Sequence, residues 1–251
     1  MSTVSCRERP RPSAAGEIIE DDAPPGRYSR QGRAVVFRRP LTAQAAVLQE
    51  LRRSILEGEL KPGTQIVQDA FAERLGLSRV PVREALKILE GEGQVRYSPH
   101  RGYFVTELDI SELLEIYRIR ELLETETVRN ATPKLTDEDV TRLSSTIDSM
   151  AAASEATDIV ALTNANREFH FALFTPSGMP RFVRMIRQLW DSSDPYRSLY
   201  FADPGHRDVV DAEHRGILDA ARARDAEALV RLLDEHRANA ITGLKKVLDH
   251  A

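Results

Sequence analysis

Two sets of side chains in this sequence have the types and spacing to do chemistry. The first is a cationic row, Arg79, Arg83 and Lys87, recurring every four residues. At 100° per residue this row lies about 110° round a helix from an apolar stripe of Val82, Ala85, Leu86 and Leu89. A helix buried by that stripe presents the row to solvent. There a guanidinium can pair bidentately with guanine O6 and N7, or with phosphate. Ser78, at the helix start, adds a hydroxyl and a backbone N–H for phosphate.

The second set is histidine. Three of the six lie on apolar helical stripes: His170 with Leu162, Asn166, Phe169 and Leu173; His214 with Val210, Ile217, Leu218 and Ala221; His236 with Leu229, Leu232, Leu233 and Ala240. A single inward imidazole is ordinarily a core residue with its polar atoms satisfied. Three in one helical core point instead to a shared cation, because facing helices of a bundle assemble metal sites and neutral imidazoles suit Zn, Ni or Mn. Arg120 shares a stripe with Leu113, Ile116, Leu123 and Thr127, so it also points inward and needs an anion. That anion is either an effector carboxylate or Glu124, one turn away. Trp190, with Phe182, Ile186 and Leu189, reads as core or dimer surface and not as a site.

The elements that position these groups follow from caps, breakers and periodicity. Residues 1–40, interrupted by five prolines and rich in arginine, read as a disordered basic tail. Thr42 caps a helix carrying Val47, Leu48, Leu51 and Ile55, which stops by Gly58 and Pro62-Gly63. A short helix with Phe71 and Leu75, the turn Gly76-Leu77-Ser78 and the cationic helix follow, and then two β-like runs, 95–97 and 103–105, joined by residues 98–102. Helix, turn, helix and hairpin over residues 41–105 is the order of a winged helix-turn-helix. Residues 106–251 read as six antiparallel helices, approximately 109–131, 136–153, 158–175, 179–193, 204–223 and 225–248, with Thr136 and Asp158 as caps. The expected fold is therefore mainly α, a winged helix-turn-helix followed by an all-helical bundle.

Charge is uneven along the 251 residues: 1–40 carry 8 basic and 5 acidic residues, whereas 106–251 carry 18 and 26. A basic front and an acidic rear suit an anionic partner at one end. One cysteine, Cys6, excludes an internal disulfide framework, and no apolar run approaches the ~18–20 residues of a membrane span. With no secretory leader in view, a cytoplasmic location and no membrane partner are expected.

The runs "ILEGELKPGTQI", "ERLGLSRVPVREALKILEGEG" and "RGYFV" resemble the DNA-binding domain of the GntR family of bacterial transcription regulators, over about residues 43–105. The remainder resembles the FCD effector domain of the FadR-like subfamily, on Arg120-x-x-Leu123-Glu124, Asn166-x-x-Phe169-His170, Glu213-His214-Arg215, Asp225-Ala226-Glu227 and His236. The resemblance implies DNA contacts by Ser78, Arg79, Val80 and Arg83, and by a wing tip of His100, Arg101 and Gly102 approaching the minor groove. It also implies a divalent metal held at the positions of Asn166, His170, His214 and His236, with Asn166 standing where the family has an aspartate. Asp69 departs too, occupying a position where the family often carries a phosphate-binding arginine, so that contact is absent unless Arg74 or the tail arginines replace it.

The function these features imply is a ligand-responsive transcription repressor. A homodimer binds double-stranded operator DNA, and its bundle takes a metal and a small carboxylate effector. The competing class is a metal-dependent hydrolase with an accessory helical domain. Against it, the sequence has no HExxH, and Glu168 lies roughly 200° round the helix from His170.

Overall fold

Local capping starts most of the helices. The computed structural model describes residues 42–249; the expected tail, residues 1–40, and His250 lie outside them. The Thr42 hydroxyl accepts the Ala45 N–H at 3.1 Å and opens α1 (Ala43–Leu56). Strand β1 (Gln65–Ile66) precedes α2 (Gln68–Leu75), which ends on Gly76 with φ +64°, a left-handed cap that a side chain resists. Helix α3 (Arg79–Gly91) follows, then β2 (Val95–Ser98) and β3 (Gly102–Val105). The sheet runs β1–β3–β2, all antiparallel, with Tyr97 opposite Tyr103 and Ile66 opposite Tyr103 on the other edge. At two residues, β1 is too short to show an alternation in sequence. Val47, Leu51 and Phe71 meet the α3 stripe in one core, closed below by Tyr103 and Val105 of the wing.

Six helices complete the described chain: α4 (Ile110–Ala131), α5 (Asp137–Glu155), α6 (Ile159–Phe174), α7 (Pro180–Phe201), α8 (Pro204–Arg222) and α9 (Ala226–Asp249). Asp109, Asp158 and Asp203 each cap with a side-chain oxygen, and Thr136 with Asp139 forms a full capping box. Pro133 and Pro176 fall in 3-10 turns, Thr132–Lys134 and Thr175–Ser177. A second core, with Phe169, Phe174, Trp190, Phe201 and Ile217 fully buried, unites these helices. None of the described helices is long and apolar enough to cross a membrane.

One helix departs from expectation. The sequence stops it at residue 193, because Pro195 has no N–H to continue the ladder. Helix α7 runs on through Pro195 to Phe201. A proline in a helix strands the carbonyl four residues earlier, here that of Asp191. Gln94, buried just before β2, donates its side-chain Nε2–H to that carbonyl at 2.9 Å. The orphaned acceptor is thus satisfied from the winged-helix region. Next to it, Ser192 donates to the carbonyl of Glu92 at 2.6 Å, and Glu92 is the C-cap of α3. Tyr196, one turn on, exchanges hydrogen bonds with the backbone of Asp109, the cap of α4, at 2.9 and 3.0 Å.

Candidate functional site

The first face is cationic. The α3 stripe is wholly buried while Arg79, Arg83 and Lys87 are exposed, as the 3.6-residue period requires. Ser78 is the N-cap of α3, but its hydroxyl makes no capping hydrogen bond, and the first turn carries no acid. The positive helix end therefore stays open to an anion. Val80 is 52% exposed beside it. At the wing tip, His100 (φ +64°) and Gly102 (φ +89°) both take the left-handed conformation, which turns the hairpin. Arg101 between them is exposed, and its guanidinium lies 5.2 Å from the Phe104 ring centre. Arg79 is not free: its Nη2 donates to the Asp69 carboxylate, and its Nε is in ion-pair contact with it. Arg74 is committed elsewhere, to Glu50 and Ser54 at 3.1 Å and to Glu59 at 3.4 Å.

The second site lies in the bundle. Helices α6, α8 and α9 bring His170, His214 and His236 together, with one ring nitrogen of each within 4.8 Å of the others. The Nε2 atoms of His170 and His214 are 3.2 Å apart. Burial first, then the neighbouring histidines, hold both imidazoles well below their ordinary pKa, so both are neutral with a lone pair to give. Their Nδ1 atoms have no partner, and neither has the buried Oδ1 of Asn166. His236 differs: its Nδ1 is 2.6 Å from the Glu213 carboxylate, which fixes its tautomer and leaves Nε2 for the cluster. A donor set of three imidazoles beside an unsatisfied amide oxygen fits a divalent cation.

Charges surround the histidines. Arg120 directs Nε to Glu124 at 2.9 Å, so the internal pair is made, while its Nη1 has no partner. Glu124 also accepts from Arg237 at 2.6 Å and from the Trp190 indole at 2.7 Å. Burial alone would raise the Glu124 pKa, but Arg120 and Arg237 hold it below the ordinary carboxylate range. Trp190 sits in the core, as the sequence reading has it, and it also borders the histidines. Its ring centre lies 4.8 Å from that of His170, and the guanidiniums of Arg120 and Arg197 stand 4.3 and 4.0 Å from it. Tyr117, Arg120, Asn166, Trp190, Arg197 and His236 line a narrow cavity in which a water's centre can move through about 20 Å³, room for a single water. A side chain at Gly243 would collide with Tyr200, another lining residue, so glycine sets how closely α9 approaches α7. Arg197 and Arg237 escaped sequence reasoning, and Glu213 entered it only within the run Glu213-His214-Arg215. Only the adjacency of Glu213 to His214 and of Arg237 to His236 hinted at them. His206 stacks on Tyr200 at 4.1 Å and lies outside the triad. Glu168 pairs with Arg142 on the exposed side of α6.

Comparison with known proteins decides the lineage. Residues 43–105 match the family described as bacterial regulatory proteins, gntR family, and residues 115–239 match the FCD domain. The HTH-type transcriptional regulator McbR of Escherichia coli (strain K12) is 34% identical over 189 residues, which cover 74% of this chain and 85% of McbR. The chain belongs to the GntR family. The HTH-type transcriptional repressor RspR of the same strain is 25% identical over 186 residues, covering 74% of this chain and 82% of RspR. Among solved structures, E. coli McbR/YncC superposes with a TM-score of 0.73 at 30% identity, covering 82% of this chain and 99% of that one. A putative GntR regulator from Rhodococcus sp. RHA1 gives 0.69 at 25% identity, covering 81% and 97%. Like other GntR regulators, this one is a DNA-binding transcription regulator, with an all-helical FCD region behind its winged helix.

Proposed function

We propose that this GntR regulator is a ligand-responsive repressor. It reads operator DNA through Ser78, Arg79, Val80 and Arg83 on α3, and through His100, Arg101 and Gly102 on the wing. The observation that carries the reading is the exposed row on α3, opposite a stripe buried to the last residue, in a chain of this family. The repressor role rests on likeness to RspR. One recognition helix reads only a few base pairs, so the active species is a homodimer engaging two half-sites. Its location is the cytoplasm, where operator DNA is met.

In the bundle, His170, His214 and His236 hold a divalent metal (Zn, Ni or Mn), with Asn166 as a neutral fourth partner. A bound dication supplies positive charge and open coordination positions for an effector carboxylate. Arg120, with Nη1 unpaired, offers that carboxylate a second contact. The cavity has room for about one water, so an acid of any size must move its walls. Trp190 is one of those walls, and the next two residues of α7 grip Gln94 and Glu92 at the end of α3. Effector binding at one end of that turn thereby changes the seat of the recognition helix at the other, which is coupling through one two-state element.

The reading is tested with duplexes enriched from a random library by the full chain. Arg79→Ala and Arg83→Ala are expected to weaken binding to the enriched duplex by about 1–3 kcal/mol each, with the fold intact by circular dichroism. Unchanged affinity in both would remove α3 from the readout.

A further inference from the structure

Asp69 is the residue at which the winged helix carries an acid on its DNA-facing side. It lies in the first turn of α2, ten residues before Arg79, and the tight turn between α2 and α3 brings the two side chains together. Arg79 donates from Nη2 to one carboxylate oxygen, and its Nε lies in ion-pair contact with the other. Both side chains are well exposed, 71% for Arg79 and 56% for Asp69.

We propose that Asp69 is a specificity-determining positioning residue, which buttresses the Arg79 guanidinium so that its outer edge meets a guanine in one orientation. The inference rests on the reading that Arg79 contacts bases. A guanidinium has five N–H groups in one plane and two edges able to bond bidentately. One edge is Nε with Nη2; the other is Nη1 with the second hydrogen of Nη2. Asp69 occupies the first and leaves the second, whose two donors match guanine O6 and N7 in the major groove. An arginine already held loses less side-chain freedom on binding DNA, and an arginine unable to rotate towards a phosphate spends its bonds on the base.

Two plainer roles for Asp69 make different predictions. A solvent-exposed ion pair contributes little to folding, so stability does not account for it. As an acid in the first turn of α2 it also complements the helix dipole, a role indifferent to DNA sequence. A carboxylate near the phosphates repels every duplex alike. Only the buttress ties Asp69 to one base pair. The position that lacks the family's phosphate-binding arginine thus exchanges general affinity for discrimination.

The test uses the full chain and a duplex enriched from a random library, together with its single-base-pair variants and a scrambled duplex. Wild type, Asp69→Ala, Asp69→Asn and Arg79→Ala are compared by fluorescence anisotropy over a range of salt. Arg79→Ala is expected to abolish the preference for guanine at one base pair. At that base pair Asp69→Ala is expected to lower the guanine preference by about tenfold, and Asp69→Asn, which keeps one acceptor oxygen, to fall between. Preferences elsewhere stay as in wild type, and the scrambled duplex binds as well or better. If the Asp69 variants instead tighten on every duplex by one common factor, with the guanine preference kept, the residue is an electrostatic brake and the buttress is wrong. If Arg79→Ala leaves all preferences intact, the base-reading role of Arg79 has failed and the buttress falls with it. That failure shows in a different variant from the first.

Discussion

At the scale of single residues, the bundle site is governed by what each buried polar atom lacks. Asn166 Oδ1 is without a partner, and the Nε2 atoms of His170 and His214 face each other at 3.2 Å, in a core where an unmet polar group costs roughly 1–3 kcal/mol. A shared cation turns three competing imidazoles into mutually supporting ones, and Glu213 prepares the third by holding His236 Nδ1. Alanine at any of the three histidines is therefore expected to abolish metal retention, measured by elemental analysis, and to leave DNA affinity without effector near wild type. Asn166→Asp, which restores an anionic oxygen, should tighten divalent metal binding. Isothermal titration of the chelator-stripped protein with zinc checks this, and equal or weaker affinity in the variant contradicts it. Glu124 gives a pH prediction. Its folded-state pKa is below the ordinary range, so its pairs with Arg120 and Arg237 contribute stability above about pH 4.3 and lose it as pH falls through the folded value. Glu124→Gln leaves the buried Arg120 without its anion and leaves Arg237 with Asp234 alone. It should cost about 3–5 kcal/mol at pH 7 in denaturant titrations, and the gap to wild type should narrow as the pH falls below about 4.

At the scale of elements, α7 joins sensing to reading. Its Pro195 strands the Asp191 carbonyl, Gln94 of the winged helix takes it, and Ser192 holds the end of α3. Gln94→Ala leaves that carbonyl without its donor, so it should destabilise the chain by roughly 1–3 kcal/mol and weaken the response of DNA affinity to effector. Pro195→Ala should instead stabilise α7, since proline in a helix interior costs about 3 kcal/mol relative to alanine. It should also loosen the grip on Gln94, because the restored N–H competes for the same carbonyl. Thermal melts and duplex binding of both variants separate these effects.

The same helix marks where sequence legibility ends. Caps such as Thr42, Thr136 and Asp158 are short-range and announce their helices, and the 3.6-residue period shows which faces carry His170, His214 and His236. The extension past Pro195 depends on a side chain 101 positions earlier, and β1 depends on β3 nearly 40 positions later. No local pattern encodes either. Asp69 was legible as a departure from the family, but its bond to Arg79 appears only once α2 and α3 are folded together.

At the scale of the whole molecule, a winged helix with 9 basic and 8 acidic residues over 41–105 is followed in sequence by an acidic helical region. The described surface leaves Leu114, Ile119 and Leu122 exposed along α4, apolar area that a second copy would cover in the dimer we propose. Leu122→Glu should then shift sedimentation from dimer to monomer and weaken operator binding by the lost avidity. The link between the bundle and the DNA face is read most simply as the affinity of the zinc-loaded full chain for its enriched duplex, titrated against a panel of mono-, di- and tricarboxylates. At least one acid should change that affinity by about tenfold or more in wild type, the scale of an ordinary coupling energy, and should change nothing in His214→Ala. An acid that raises the melting temperature of the wild type while leaving duplex affinity the same, or a response that survives His214→Ala, would contradict it.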